Sequence, residues 1–238
     1  MNQDLNDIVS RLKIAHSGNL ISIIVYGSAV TAPGDASTNA SKNDYHLLVI
    51  TKTLSAADLD NGKAAAKEWV KSGYALPIYF TAQEFSESAD VFAIEFRHMK
   101  RAYQVLHGED SLAKIHPTKA HLRLQVEYEM RGKLLRLRSL YLPASDTSQS
   151  LMQLMSDSAY SFSQFMRPVL EIIGEEPPLS RLKAVHEVGK KLNLNLSPIE
   201  KILQFRETEN SLTDTETHKL FASYIDCISQ VIAAINKL

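Results

Sequence analysis

"VYGSAVTAPGDASTNASKNDYHLLVI", Val25 to Ile50, is the stretch on which the fold turns. An apolar run ends in Gly27-Ser28, a loop of small residues follows, and a second apolar run opens with Asp44-Tyr45-His46. Short apolar runs bounded by turn formers read as strands. A glycine directly after a strand lets the backbone turn tightly and admits a phosphate where a Cβ would stand in the way. A helix starting at such a turn would aim its free N–H groups at the anion, with the Ser28 hydroxyl as a further donor. Strand-Gly-Ser turns are common, so Gly27 and Ser28 alone are a weak signal. Asp44 strengthens it, because a side chain at the start of the next strand can overhang the same crevice.

Two more stretches read like the two that bracket this loop. "LISIIVYG" (Leu20–Gly27), "YHLLVIT" (Tyr45–Thr51), "LPIYFT" (Leu76–Thr81) and "AYQVLHG" (Ala102–Gly108) are short and rich in β-branched and aromatic residues. Helical segments lie between them. "SAADLDNGKAAAKEWVKSG" opens with Ser55 as an N-cap, and "TAQEFSESADVFAIEFRHMK" opens with Thr81 and Glu84 in capping-box spacing. Strands alternating with helices imply an α/β domain whose sheet is covered on at least one face.

From about Lys119 the strand signals stop. "LMQLMSDSAYSFSQFMRPVLEII" places Leu151, Met155, Phe162, Met166, Val169 and Ile173 on one helical face, with Pro168 as a kink point. "SPIEKILQF" offers Ser197 as N-cap, Pro198 in the first turn and Glu200 closing the box. Thr213 and Glu216 repeat the device, followed by a stripe of Leu220, Tyr224, Ile228, Val231 and Ile235. The expected division is an α/β domain over residues 1–117 and an all-α bundle of four or five helices over 118–238. The junction falls near His116-Pro117.

Composition bounds the function. Net charge is −1 over 238 residues, and residues 1–118 and 119–238 carry 11 and 15 basic against 13 and 14 acidic residues. Such a balance argues against a long-range electrostatic footprint for nucleic acid. The basic run "KAHLRLQVEYEMRGKLLRLR" carries Leu122, Val126, Met130, Leu134 and Leu137 at helical spacing, so its charges read as the solvated face of an amphipathic helix. A single cysteine, Cys227, excludes an internal disulfide and a cysteine zinc site. Flanked by Ile225 and Ile228, it reads as a buried helix residue. The start "NQDLNDIVSRLKIAH" lacks the apolar core of a signal peptide, and no run reaches the length of a membrane span. A soluble cytoplasmic protein is expected.

The Gly27-Ser28 turn followed by Asp44-Tyr45-His46 and the tail "LLVI" resembles the nucleotidyltransferase superfamily, the fold shared by DNA polymerase beta and aminoglycoside nucleotidyltransferases. "VFAIEFRHMKRAYQVLHGEDSL" and the helical half are similar to bacterial members with a C-terminal helical substrate domain, so the resemblance covers most of the chain. It implies an N-terminal nucleotidyltransferase-like α+β or α/β domain with a mixed sheet, joined to the helical bundle. It also implies phosphate contacts from Gly27 and Ser28, and a metal position at Asp44 with its partner two residues on, His46. In the family, an Asp-apolar-Asp pair holds Mg²⁺ ions that bridge the nucleotide phosphates, and a third carboxylate on a later strand helps activate the attacking group.

Two departures appear. His46 stands where the second carboxylate belongs, and an imidazole is a poor ligand for Mg²⁺, which prefers oxygen donors. No Asp or Glu occurs between Tyr74 and Gln83, the span that should supply the third. The expectation is therefore a degenerate member that binds a nucleotide or other phosphate ligand, or joins a protein assembly or homo-oligomer through its helical domain. The alternative is an active transferase acting on a small-molecule or protein hydroxyl. It would use Mg²⁺ or Mn²⁺ held by Asp44, with Gly27 and Ser28 on the phosphates; a softer ion such as Mn²⁺ or Zn²⁺ at Asp44 and His46 would take Glu84, Glu95 or a partner as further ligands. Taken on its own, His46 reads as a strand residue bonding a neighbour. A second alternative, a HEPN-type ribonuclease-like toxin component, rests on Arg181 and His186 in Arg-x4-His spacing; five apart on a helix they do not share a face, and surface or interhelix contacts account for the pair. His98, His107, His116 and His121 share no metal-ligand spacing.

Overall fold

Helix α1 (Gln3–His16) opens the chain, an element the sequence pattern did not predict. Only Leu5, Ile8, Leu12 and His16 of its 14 residues are buried, so the apolar signal is thin. The computed structural model describes residues 3–28, 30, 45–205 and 212–238. The backbone divides into two units, residues 1–118 and 119–238.

In the first unit β1 (Leu20–Tyr26) is followed by β2 (His46–Thr51), α2 (Ala56–Lys71), β3 (Ile78–Thr81), α3 (Ala82–Glu87), α4 (Ala93–Arg101) and β4 (Tyr103–Gly108). The sheet order is β3-β2-β1-β4. β1 is antiparallel to both neighbours, whereas β2 and β3 are parallel. Antiparallel strands can follow a loop, but parallel neighbours need a crossover, here supplied by α2. The strand predicted from Leu76 starts only at Ile78, because Pro77 has no N–H to give to a ladder.

Side chains alternate between two cores. Ile23, Val25, Leu47 and Val49 pack with Leu5, Ile8 and Leu12 of α1 and with Ala65 and Trp69 of α2. Ile24, Tyr26, Leu48 and Ile50 pack on the other face with Phe85, Phe96, Met99, Leu112 and Ile115. Both faces are thus covered, which explains why β1 and β2 read as continuous apolar runs.

The capping signals are realised at both predicted starts. Ser55 N and Oγ each donate to Asp58 Oδ2 at 2.7 Å, and Asp58 N donates to Ser55 Oγ at 3.2 Å. Thr81 N and Oγ1 donate to Glu84 Oε2 at 2.9 and 3.0 Å. The helix begun at Thr81 is two helices rather than one. It ends at Ser88, whose hydroxyl bonds back to the Glu84 carbonyl and competes with continued helix. The hydrogen bonds from Ser55 hold the Asp58 carboxyl below its ordinary range. A depressed carboxyl stabilises the fold above its unfolded pKa, and that contribution is lost as pH falls through the folded one. Ser55→Ala is therefore expected to cost about 1 kcal/mol at neutral pH. The difference between variant and parent in thermal melts followed by circular dichroism should shrink as pH falls below the ordinary carboxyl range.

The second unit comprises α5 (Lys119–Ala144), α6 (Ser148–Ser163), α7 (Met166–Ile172), α8 (Arg181–Leu192), α9 (Ser197–Phe205) and α10 (Asp214–Ile235). These are six helices among the described residues, against four or five expected. The extra one comes from the break at Gln164-Phe165. The Pro168 ring would clash with the carbonyl of Gln164 in a continuous helix, whereas in the first turn of α7 its missing N–H costs nothing. On α5, Leu122, Val126, Met130, Leu134 and Leu137 are buried as the spacing predicts. The predicted cap at Ser197 is replaced by Asn195, whose Oδ1 accepts from Ser197 N and Oγ at 3.1 and 2.7 Å. The Thr213–Glu216 box forms. The α10 stripe is buried, and Tyr224 donates to Ser158 Oγ of α6 at 2.9 Å. Cys227 is buried, its thiol bonded to the Asn195 carbonyl at 3.3 Å and pushed up to about 12 by burial. Among the described residues no helix is long and apolar enough to cross a membrane.

Candidate functional site

Gly27 closes β1 with φ +122, a conformation that residues bearing a Cβ rarely adopt. Its N–H donates to the Ala102 carbonyl at 3.1 Å, and its own carbonyl accepts from Val30 N at 2.9 Å. The turn is therefore anchored to the end of α4 on one side and closed on itself on the other. Gly27 is buried and Ser28, at the tip, is exposed. Ser28 and Val30 lie outside any helix, so the described part of the turn offers an anion its loop groups and the Ser28 hydroxyl. Asp44 lies outside the described residues.

His46 opens β2 directly opposite Tyr26 of β1, and Tyr26 is in turn opposite Tyr103 of β4. Residues paired across strands project to the same face, so the three rings form a row. The His46 imidazole stacks on Tyr26, with centroids 5.2 Å apart and planes 27° from parallel. Burial pushes the Tyr26 phenol up to about 12. Tyr103 donates to Asp110 Oδ2 at 3.0 Å, and burial, followed by that hydrogen bond and then the Asp110 charge, raises its pKa. Asp110 Oδ1 accepts from Ala113 N at 2.9 Å. The carboxylate that ends the row thus has both oxygens occupied by hydrogen bonds from within the unit.

Tyr26, Tyr103 and Asp110 were not singled out from the sequence. Only the pairing register brings the first two beside His46, and no sequence spacing encodes that register.

Glu84 does not join this end of the sheet. β2 and β3 run parallel with Thr51 beside Thr81, so Glu84 lies past the far end. His46 to Thr51 alone is about 16 Å of strand, at about 3.3 Å per residue. Glu84 is also committed to Thr81 in the cap. β3 itself carries Ile78, Tyr79, Phe80 and Thr81, none of them acidic. Among the described residues no three His, Cys, Asp or Glu side chains come together as metal ligands would. In the helical unit, Arg181 lies over the Tyr160 ring at 3.7 Å, while His186 Nδ1 meets Glu200 Oε1 at 3.2 Å. The two residues engage different partners.

No protein-family model matches the chain, and no curated protein does. Among solved structures it is similar to spectinomycin adenyltransferase AAD(9) from Enterococcus faecialis, solved with ATP and spectinomycin. The two share 13% identity over 98% of each chain with a TM-score of 0.51. Likeness at that identity extends to the fold: a mixed four-stranded sheet followed by a largely helical region.

Proposed function

We propose that this protein uses a nucleotidyltransferase-like fold to bind a nucleotide, or another phosphate ligand, at the Gly27–Ser28 turn without metal-dependent transfer. The observation that carries the proposal is His46. By the sequence resemblance His46 takes the place of a metal-binding carboxylate, and its ring is stacked on the buried Tyr26, so its face is engaged and it adds no negative charge. With β3 free of acids, Asp44 is left as the one carboxylate of three. The donor set does not fit a pair of Mg²⁺ ions, and stabilisation in phosphoryl-type transfer is largely electrostatic and metal-borne. ATP is the first ligand to test, since the structural neighbour was solved with it.

Residues 119–238 serve in this reading as a ligand-facing or assembly domain. The assembly role draws support from α5, which leaves Leu124, Tyr128, Leu135 and Leu142 exposed at 61%, 76%, 62% and 73%.

Calorimetric titration with ATP, with and without Mg²⁺ or Mn²⁺, tests the proposal. Binding is expected at the same affinity with and without metal, with no pyrophosphate released. Ser28→Ala should weaken it about tenfold, the equivalent of one hydrogen bond to a charged group at about 1.5 kcal/mol. Metal-dependent binding accompanied by pyrophosphate release would show an active transferase and overturn the reading. Absence of nucleotide binding would leave only the assembly role.

A further inference from the structure

The crossover β2–α2–β3 leaves β3 at an edge of the sheet, with no strand beyond it among the described residues. An edge strand presents unpaired backbone donors and acceptors to any extended chain that reaches it. Beside this edge lies a groove of about 690 Å³ between the outer side of α2 and the start of β3. Its apolar wall is made by Leu59, Ala66, Val70, Leu76 and Pro77, with Tyr79 alongside. Leu76 is 70% exposed, Leu59 47% and Val70 41%. Apolar side chains gathered so closely around one groove mark a contact surface more than scattered exposure does.

Three lysines, Lys63, Lys67 and Lys71, also line the groove. They recur every four residues along α2, about 6 Å per step at 1.5 Å per residue. An extended chain repeats a side-chain direction every second residue, about 6.6 Å. A helix that connects two adjacent parallel strands runs back along them, so the lysine row and a strand added to β3 share a direction. The two periods stay nearly in step over three positions. Lys63 lies 3.3 Å from Asp60 and Lys71 lies 2.9 Å from Glu68, all on exposed side chains. Exposed pairs of that kind contribute little and exchange readily for a partner's carboxylates. Lys67 has no ion pair among the described residues.

Gly62 keeps α2 close to the strand. A Cβ there would stand 2.7 Å from Tyr79 Oη and 2.9 Å from His16 Nε2. A glycine inside a helix costs about 1 kcal/mol relative to alanine; here it lets the helix lie against Tyr79, which is part of the groove lining.

We propose that this groove takes an extended acidic segment of a partner protein, added as a fifth strand on the free edge of β3. Glu or Asp side chains at alternate positions lie over Lys63, Lys67 and Lys71, and their methylenes cross the apolar wall. Backbone bonds to the edge supply affinity and the lysine row supplies selectivity, the division of labour seen in strand addition generally. A partner helix would meet the lysines but leave the edge unpaired. The proposal is independent of the nucleotide reading.

The test is fluorescence anisotropy of a labelled peptide of four Glu-Val repeats titrated with the full chain. Saturable binding is expected, together with at least a tenfold loss in the variant carrying Lys63→Glu, Lys67→Glu and Lys71→Glu. All three lysines are on the solvent side of α2, and Trp69 fluorescence checks that the variant folds. A Lys-Val peptide should not bind. Peptides N-methylated at every second amide, made in both registers, separate strand addition from charge alone: at least one register should lose tenfold. The proposal is overturned if the Glu-Val peptide does not bind, if both methylated peptides bind as the parent does, or if the lysine variant is unaffected. Equal binding of the lysine face to anionic vesicles would assign it to a membrane surface and overturn it as well.

Discussion

Replacing Gly108 by alanine is expected to lower the melting midpoint of the first unit by about 10 °C or more. Gly108 ends β4 with φ +78, and a Cβ built on it would stand 1.8 Å from the Ile21 carbonyl oxygen. The clash is with backbone, so no side-chain rotation relieves it. A left-handed backbone costs a residue with a Cβ about 1–2 kcal/mol, and forcing two strands apart in a packed core adds about 1–3 kcal/mol. For a unit of this size each kcal/mol moves the midpoint by roughly 4 °C. The turn at Gly108 also delivers Glu109, whose carbonyl accepts from the buried Ser22 hydroxyl at 2.8 Å, and then Leu112 and Ile115, which close one of the two cores. The single tryptophan, Trp69, belongs to this unit and reports its unfolding. Gly132→Ala is the control. It lies within α5 with nothing within 4 Å of an added Cβ, and should stabilise by up to about 1 kcal/mol. Equal effects at the two glycines would overturn the argument for Gly108.

On the proposed function, His46→Asp is expected to make nucleotide binding metal-dependent where binding to the parent is not. In the frame the sequence resembles, carboxylates two residues apart share a strand side, and a second one at position 46 would give Mg²⁺ the oxygen donors it prefers. ATP should then bind at least tenfold more tightly with Mg²⁺ than without it, a gain of about 1.4 kcal/mol. The same substitution removes the ring stacked on Tyr26 and should lower stability by about 1 kcal/mol, a typical value for a ring pair. Calorimetry reads the first effect and thermal melting the second. Loss of stability without metal dependence would mean that this strand end is not a metal position, whatever its resemblance. The two readouts keep a folding defect from being mistaken for a failed prediction.

Much of the α/β unit was readable because β1 and β2 are covered on both sides, so their sequences are nearly unbroken apolar runs. β3 was readable as a strand but not its start, which depends on Pro77. Helix α1 left little pattern because most of its residues face solvent. Between α6 and α7 Pro168 was legible as a kink, but the continuous apolar period hid that it breaks the helix in two, at Gln164-Phe165. At the candidate site, Gly27 was legible because its demand is local: a residue that must adopt positive φ announces itself as glycine. The partner of His46 was not legible. Tyr26 meets it only through a register set across a loop, and the Tyr103–Asp110 bond arises from strand order, which one sequence read alone does not encode. Lys63, Lys67 and Lys71 were visible throughout, yet acquired meaning only once β3 was found at the sheet edge.

Cys227 has a practical consequence for following the molecule's breathing. The residue is 3% exposed, and burial disfavours the thiolate, the form that reacts with alkylating reagents. Labelling of the native chain must therefore wait for α10 to part from its neighbours. With reagent in excess, the labelling rate becomes a clock for excursions of the helical unit. Since Cys227 sits in residues 119–238 and the only indole in residues 1–118, the wild-type chain already carries one reporter for each half, with no engineered probe.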